Sequence, residues 1–233
     1  VIIDKAQRVK ASGRDPLVIF DLDGTLYDNR PRTLRILTEY AHQEAERLPG
    51  LLAAAQSVRL DDVDYLIKDT LNNVGFSDED AIAGLFAYWK SRFFTDDYVE
   101  LDLPIAGAAT FVKRLNAEGV VPVYLTGRDA PNMLKGTVSC LHRDGFPVGT
   151  VDTRIVLKDR FERADDEYKE AVITNLRRSG DVIAAFDNEP GLCNLFHRAF
   201  PEASVCLLDT ACAPGAPPLA DGIIRAPDFM QLL

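Results

Sequence analysis

The stretch Leu17-Val-Ile-Phe-Asp-Leu-Asp-Gly-Thr25 decides the fold of this chain. Its first four residues are apolar and two of them are β-branched, which predicts a short buried strand over residues 17–20. The next four residues, Asp-Leu-Asp-Gly, are typical of a turn, and Gly24 permits the chain to bend sharply there. The stretch therefore predicts a strand that ends in a pair of acidic residues.

Five further apolar runs predict strands over residues 120–125, 154–157, 182–186, 204–208 and 222–225. Between them, helical periodicity covers residues 105–118, 131–144, 165–179 and 191–200. Strands that alternate with helices predict an α/β fold, a doubly wound and Rossmann-like core with a parallel sheet. Pro122 cannot donate a ladder hydrogen bond, so we expect it at the entry of its strand rather than at the centre.

The segment from residue 29 to residue 100 is different, because no strand is predicted in it. Amphipathic patterns predict helices over residues 32–48, 61–74 and 77–94, and Ser77 with Asp80 predicts a capped start for the last of them. We therefore expect a catalytic core formed by residues 1–28 and 101–233, with an all-α domain formed by residues 29–100 inserted into it.

The composition limits the class of protein. The chain has 233 residues, 47% of them hydrophobic, and a formal net charge of −10, which favours a globular protein and disfavours nucleic acid as a partner. No apolar run reaches the length of a membrane span. The four cysteines form no Cys-x-x-Cys pair, so we expect free thiols in a reducing cytoplasm. Monomer and homodimer both remain open.

In open α/β sheets, ligands bind at the carboxyl ends of the strands. Three acidic residues are expected there, and such carboxylates repel one another unless a cation neutralises them. Magnesium prefers a few carboxylate oxygens together with water and substrate phosphate. The polar residues expected at this edge are Asp21, Asp23, Gly24, Thr25, Thr126, Gly127, Arg128, Lys169, Asp187 and Asn188. They predict a site for Mg²⁺ and a phosphate group.

The residue types at this edge suit phosphoryl transfer. Asp21 and Asp23 lie on the same side of an extended chain, so one can attack while the other handles a proton. Thr126 can donate a hydrogen bond to a phosphate oxygen, and Lys169 can neutralise charge in the transition state. Lys158 also follows a strand and competes for this role. The helix-start position of Lys169 and its spacing from Asp165 favour Lys169.

The motif Asp21-Leu-Asp-Gly-Thr25 resembles the first motif of the haloacid dehalogenase (HAD) superfamily, and Thr126, Lys169 and Asp187 match the second, third and fourth. The helical insert resembles the superfamily's C1-type cap. The resemblance implies a magnesium-dependent phosphatase that forms an aspartyl-phosphate on Asp21, with Asp23 as general acid and base. It also implies metal ligands from Asp21, the Asp23 carbonyl and Asp187, while Asn188 can share that role.

The general acid must carry a proton in the first step. Closely placed carboxylates raise the pKa of one of them, so we expect the pKa of Asp23 to be raised. A cap that closes over the site would admit a small phosphorylated metabolite and exclude bulky polymers.

A finer resemblance concerns three segments: Tyr124-Leu-Thr-Gly-Arg128, Asp165-x-x-x-Lys169 and Asp187-Asn188. They are similar to segments of polynucleotide 3′-phosphatase domains and related acid phosphatases. This implies that Arg128 and Asp165 help to bind the phosphate and orient the lysine. With Gly24, Thr25 and Gly127 they complete the predicted substrate-binding set.

Several alternatives remain beside the small-molecule phosphatase. A phosphomutase or a polynucleotide 3′-phosphatase would use the same core. A hydrolytic dehalogenase of the superfamily needs neither Asp23 nor a metal, and a non-catalytic phosphate-binding module would not need Asp23. The aromatic residues of the last insert helix are expected to form its core. Alternatively, Trp89 or Arg92 faces the cleft and selects the substrate.

Overall fold

The structure is a computed structural model that describes residues 1–165 and 167–233. The strands are β1 Pro16–Phe20, β2 Tyr27–Asp28, β3 Leu103–Pro104, β4 Val121–Asp129, β5 Arg154–Lys158, β6 Asp181–Asp187, β7 Ser204–Leu208 and β8 Ile224–Ala226. The helices are α1 Ile2–Ala11, α2 Arg30–Gln43, α3 Pro49–Ser57, α4 Ile67–Asn73, α5 Glu79–Phe93, α6 Asp96–Val99, α7 Ala108–Ala117, α8 Ala130–Arg143, α9 Asp165–Ser179 and α10 Pro190–Ala199.

Six strands form one sheet in the order β5-β4-β1-β6-β7-β8, and every neighbouring pair is parallel. β1 lies inside this sheet and all five of its residues are buried. Its side chains alternate between two hydrophobic clusters: Val18 and Phe20 pack with α1, α7 and α8, whereas Leu17 and Ile19 pack with α9 and α10. Helices therefore cover both faces, and the predicted doubly wound α/β core is confirmed.

The position of Pro122 agrees with the prediction. It is the second residue of β4 and lies opposite Val18 of β1, while pairing with β5 begins only at Val123. Helix α1 was not predicted. Ala6 of this helix is buried against the sheet, and Ile2 and Val9 pack beside it, whereas Asp4, Arg8 and Lys10 are exposed.

Helices α2 to α6 lie between β2 and β3, and we call them the helical insert. β2 and β3 pair antiparallel, with Tyr27 opposite Pro104 and Asp28 opposite Leu103, so the chain leaves the core and returns through one two-stranded ribbon. The insert has its own hydrophobic cluster, which includes Leu37, Leu51 and Leu85.

The predicted insert helices need three corrections. The first ends at Gln43, and α3 was missed because Pro49-Gly50 was interpreted as a break, whereas proline is well tolerated in the first turn of a helix. The predicted helix over residues 61–74 is reduced to α4, preceded by a 3-10 turn. Helix α5 is capped by Asp78, which accepts a hydrogen bond from the Ala81 amide at 2.9 Å, and not by Ser77.

Two composition-based expectations also concern the fold. Of the helices within residues 1–165 and 167–233, none has the length and apolar character that crossing a membrane requires. The four cysteines are free thiols, and Cys140, Cys193 and Cys206 are buried.

Candidate active site

The carboxyl ends of β1, β4 and β6 bring Asp21, Thr126 and Asp187 to one cleft, and α9 adds Lys169. Asp21 and Asp187 follow neighbouring strands, and the Nζ atom of Lys169 donates to Asp21 Oδ1 and to Asp187 Oδ2, both at 2.8 Å. Thr126 lies on β4 and lines the same cleft, which has a volume of about 1330 Å³. All four side chains are buried at its floor. The sheet thus joins residues that are more than 160 positions apart in the chain.

The structure separates the two candidate lysines. Lys158 lies at the end of β5, where its Nζ atom donates to Asp165 Oδ1 at 2.8 Å and to the carbonyls of Phe161 and Arg163. It therefore fixes the loop between β5 and α9. Lys169 is the lysine that contacts Asp21.

The charges of Asp21 and Lys169 are coupled by their contact. Burial raises the pKa of Asp21, whereas the ammonium group of Lys169 at 2.8 Å opposes this shift and favours the ionised carboxylate. Burial alone would favour the neutral form of Lys169, but Asp187 and Asp21 outweigh it and raise its pKa. Lys169 therefore keeps its positive charge beside the carboxylate that is the predicted nucleophile.

Asp23 lies between two guanidinium groups. Arg128 Nε donates to Asp23 Oδ2 at 2.7 Å, and Arg32 Nη2 donates to Asp23 Oδ1 at 2.8 Å. Burial favours the neutral acid, but Arg128 and Arg32 outweigh it and hold the pKa of Asp23 below its usual range. The expectation of a raised pKa at Asp23 was therefore wrong, because the two guanidinium groups in contact with Asp23 favour its ionised form.

Asp102 completes this arrangement, and we call Asp23, Arg32, Asp102 and Arg128 the charge network, in which the Asp23 side chain is 27% exposed. Arg32 Nε donates to Asp102 Oδ1 at 2.9 Å, and Arg128 Nη2 donates to Asp102 Oδ2 at 2.7 Å. Arg32 and Asp102 are fully buried, and Arg128 is 2% exposed. Burial raises the pKa of Asp102, and the two guanidinium groups oppose that shift. The network joins the insert, the segment that returns from it, and β4.

Arg32 and Asp102 were not among the site residues predicted from the sequence. The sequence contains a weak indication of both. Arg32 shares a helix face with the buried residues Ile36 and Tyr40, and Asp102 lies between Leu101 and Leu103. A charged residue within an apolar pattern indicates a buried ion pair. From the sequence, a divalent cation was expected to neutralise the acidic residues of the site. In the structure, Arg32 and Arg128 neutralise part of this charge.

Arg128 and Asp165 both line the cleft and make contacts within the protein, and their role in phosphate binding stays a prediction. The guanidinium of Arg128 donates to Asp23, to Asp102 and to Thr137 Oγ1, so most of its donors are used within the protein. Asp165 pairs with Lys158 instead of orienting Lys169. A Cβ atom at Gly127 would lie 2.2 Å from Asp165 Oδ2, so the missing side chain of Gly127 makes room for that carboxylate.

Thr25 and Asn188 support the turn after β1. Gly24 has a φ of +77°, and its carbonyl accepts a hydrogen bond from Thr210 Oγ1 at 2.6 Å. Thr25 Oγ1 donates to Asn188 Oδ1 at 3.2 Å, and Asn188 Nδ2 donates to the carbonyl of Ala211 at 2.7 Å. These contacts hold the Asp21–Thr25 turn against the loop after β7. The roles of Thr25 in substrate binding and of Asn188 as a metal ligand stay predictions.

Gly24→Ala is expected to lower the free energy of unfolding by about 3 kcal/mol, measured by denaturant unfolding. The left-handed φ costs a residue with a side chain about 1–2 kcal/mol, and overpacking costs about 1–3 kcal/mol more. The overpacking arises because the new Cβ would lie 2.5 Å from Asn188 Nδ2. Gly13→Ala is the matched control, since Gly13 has a φ of +76° with nothing within 4 Å of its Cβ position. Equal losses for both variants would contradict the packing argument.

The donor atoms at the cleft floor fit a hard divalent cation. Asp21 and Asp187 present carboxylates that already share one positive group, the ammonium of Lys169. Oxygen ligands are those that Mg²⁺ prefers. Within residues 1–165 and 167–233, no three His, Cys, Asp or Glu side chains are grouped as a metal site. The predicted magnesium site is not such a group of three side chains. It combines the carboxylates of Asp21 and Asp187 with the backbone carbonyl of Asp23.

Comparisons with known proteins agree with this architecture. A family model described as haloacid dehalogenase-like hydrolase matches residues 16–190. No curated protein is significantly similar to the chain in sequence.

Among solved structures, a candidate phosphatase from Clostridium difficile is 13% identical, with a TM-score of 0.56 over 87% of this chain and 89% of that one. Protein Tyrosine Kinase A from Mycobacterium tuberculosis is 15% identical, with a TM-score of 0.54 over 94% and 96%. A hydrolase from Streptococcus pneumoniae is 14% identical, with a TM-score of 0.52 over 80% and 89%. At these identities the similarity shows the fold alone.

Proposed function

Because the chain belongs to the family of haloacid dehalogenase-like hydrolases, we propose that it hydrolyses small phosphate monoesters through a covalent intermediate on Asp21. The observation that carries this proposal is the meeting of Asp21, Thr126, Lys169 and Asp187 at one cleft floor. A second acid, Asp23, lines the same cleft. A nucleophile, an adjacent acid and a fixed cation are the groups that phosphoryl transfer through an acyl phosphate requires.

We propose that the protein uses Mg²⁺, held by the carboxylates of Asp21 and Asp187 and by the backbone carbonyl of Asp23. When bound, this ion neutralises phosphate charge and orients the group for in-line displacement.

In the proposed first step, a carboxylate oxygen of Asp21 bonds to phosphorus while the bond to the departing oxygen breaks. Lys169 and Thr126 stabilise the charge on the equatorial oxygens. Asp23 protonates the departing oxygen. In the second step, water attacks the phosphorus of the aspartyl-phosphate, Asp23 takes the proton of that water, and Asp21 is regenerated with release of phosphate.

The ionised state of Asp23 in the free protein suits the second step directly. For the first step, Asp23 must acquire a proton. The negative charge of a bound phosphate raises the pKa of a neighbouring carboxyl group. We propose that substrate binding lets Asp23 take up the proton that it then donates to the departing oxygen. This donation leaves Asp23 ionised, and the hydrogen bonds from Arg32 and Arg128 stabilise that form.

We also propose that residues 29–100 act as a cap domain over the site. The insert has a separate hydrophobic cluster, and α4 and α5 supply one wall of the cleft. The partner proposed for this enclosed cleft is a small phosphorylated molecule, since a polynucleotide would meet the repulsion of a chain with net charge −10.

Phosphate release from a panel of monoesters, with Mg²⁺ and with a chelator, tests the proposed function. We expect activity with Mg²⁺, a fall of about 100-fold or more with the chelator, and recovery when Mg²⁺ is added in excess. Equal rates with and without the chelator would contradict the magnesium proposal. Failure to release phosphate from any monoester would contradict the phosphatase proposal itself.

A further inference from the structure

Part of the cleft lining, which we call the apolar wall, consists of large hydrophobic side chains. Four of them are well exposed: Tyr65 at 46%, Leu66 at 43%, Phe86 at 50% and Leu103 at 52%. Three of them belong to the helical insert or its connections, and Leu103 lies on β3. Exposed apolar side chains that line one cleft indicate a binding surface for an apolar group.

Aromatic side chains continue this surface across the cleft. Phe86 stacks on Trp89 with ring centroids 5.9 Å apart, and Phe94 of the insert contacts Phe161 of the core in an edge arrangement at 4.9 Å. The Trp89 indole Nε1 donates to Thr33 Oγ1 at 3.2 Å, so its polar atom is satisfied within the insert. This part of the wall therefore offers ring faces and edges rather than hydrogen-bonding groups for the hydroxyls of a sugar.

The positive charges of the cleft are already paired. Among the described residues, each cationic side chain that lines the cleft has an acidic partner. The pairs are Arg30 with Asp28, Lys68 with Glu79, Arg128 with Asp23, Lys158 with Asp165, and Lys169 with Asp21 and Asp187. The loosest pair, Lys68 with Glu79 at 3.9 Å, is also well exposed to solvent.

Further carboxylates line the same cleft, namely Asp64, Glu189, Asp209 and Asp228, of which Asp209 pairs with Arg225 at 2.7 Å. A second anionic group on the substrate would therefore lie close to acidic side chains. Among the described lining residues, no unpaired cation is present to bind it. Such an arrangement selects against an additional negative charge.

We infer that the site, if it is the phosphatase site proposed above, takes monoesters whose alcohol or phenol part is apolar, ring-bearing and free of a second negative charge. The phosphate lies at Asp21 and Lys169, and the hydrocarbon part lies against the wall formed by Leu66, Phe86 and Leu103. Bisphosphorylated sugars lie outside this substrate class, because they are polar and carry a second negative group. The inference therefore disfavours the phosphomutase alternative.

Three esters with primary alcohol leaving groups test the inference: ethyl phosphate, 4-methylbenzyl phosphate and 4-carboxybenzyl phosphate. We expect kcat/KM for 4-methylbenzyl phosphate to exceed that for ethyl phosphate by about tenfold or more, because the ring is removed from water. It should exceed that for 4-carboxybenzyl phosphate by a similar factor, because the added carboxylate meets the acidic lining. The reacting phosphate is the same in all three.

Phe86→Ala should reduce the preference for 4-methylbenzyl over ethyl phosphate by about fivefold or more, through a higher KM for the benzyl ester. Leu134→Ala is the matched control, since Leu134 is 44% exposed on α8 and does not line the cleft. The control variant should keep the wild-type preference.

The outcomes separate the two proposals. Hydrolysis of all three esters at similar kcat/KM, or a preference for the carboxybenzyl ester, would overturn the inference and leave the phosphatase proposal standing. A preference unchanged by Phe86→Ala would overturn the assignment of the apolar wall. Absence of hydrolysis for all three esters and for the wider panel would overturn both proposals together.

Discussion

Replacing Asp21 with asparagine is expected to lower kcat for phosphate release by about 10⁴-fold or more, the size of effect found when a catalytic nucleophile is removed. The amide of asparagine cannot attack phosphorus to form an acyl phosphate. It has nearly the same shape as the carboxylate, and Lys169 keeps its contact with Asp187 Oδ2 at 2.8 Å. Steady-state kinetics measures the loss, and thermal unfolding of the variant shows whether the fold is intact.

Asp181→Asn is the matched control for Asp21→Asn. Asp181 is 43% exposed, pairs with Arg14 and lies at the opposite end of β6 from Asp187, so this variant should keep wild-type activity. A second measurement addresses the intermediate: in acid-quenched wild-type turnover, a phosphoryl group should be found on the peptide that contains Asp21. A variant that keeps more than about a hundredth of the activity, or a phosphoryl group on another peptide, would refute the proposed nucleophile.

The sequence predicts the central part of the site because its signals are local. Asp21, Thr126 and Asp187 each follow an apolar run directly, and parallel strands bring such ends to one edge of a sheet. Lys169 has no such strand beside it. It was identified from its place near the start of a helix and its spacing from Asp165, although Asp165 turned out to pair with Lys158.

The environment of Asp23 could not be predicted from the same signals. Arg32 lies on the insert and Asp102 lies 70 positions later, and they meet only because β2 and β3 bring the two ends of the insert together. Motif spacing within the core contains no information about that contact. The predicted pKa direction for Asp23 was therefore wrong, because it considered only the neighbouring carboxylates.

Asp102→Ala is expected to lower the free energy of unfolding by about 3–5 kcal/mol, measured by denaturant unfolding. The variant leaves two buried guanidinium groups, Arg32 and Arg128, with Asp23 as their shared carboxylate partner. Arg32 and Asp102 are fully buried, so water cannot replace the lost interactions. Removal of one partner from a buried ion pair is costly because the remaining charge stays desolvated.

Two comparisons separate this cause from a general loss of packing. Asp181→Ala removes an ion pair in which Arg14 and Asp181 are 45% and 43% exposed, so it should cost less than about 1 kcal/mol. The double variant Arg32→Met with Asp102→Leu removes both charges together and should be less destabilised than Asp102→Ala alone. If the double variant loses as much stability as the single one, the network stabilises the protein through its shape and not through charge pairing. If it recovers stability but loses activity, the same side chains that join the insert to the core also position Asp23 for proton transfer.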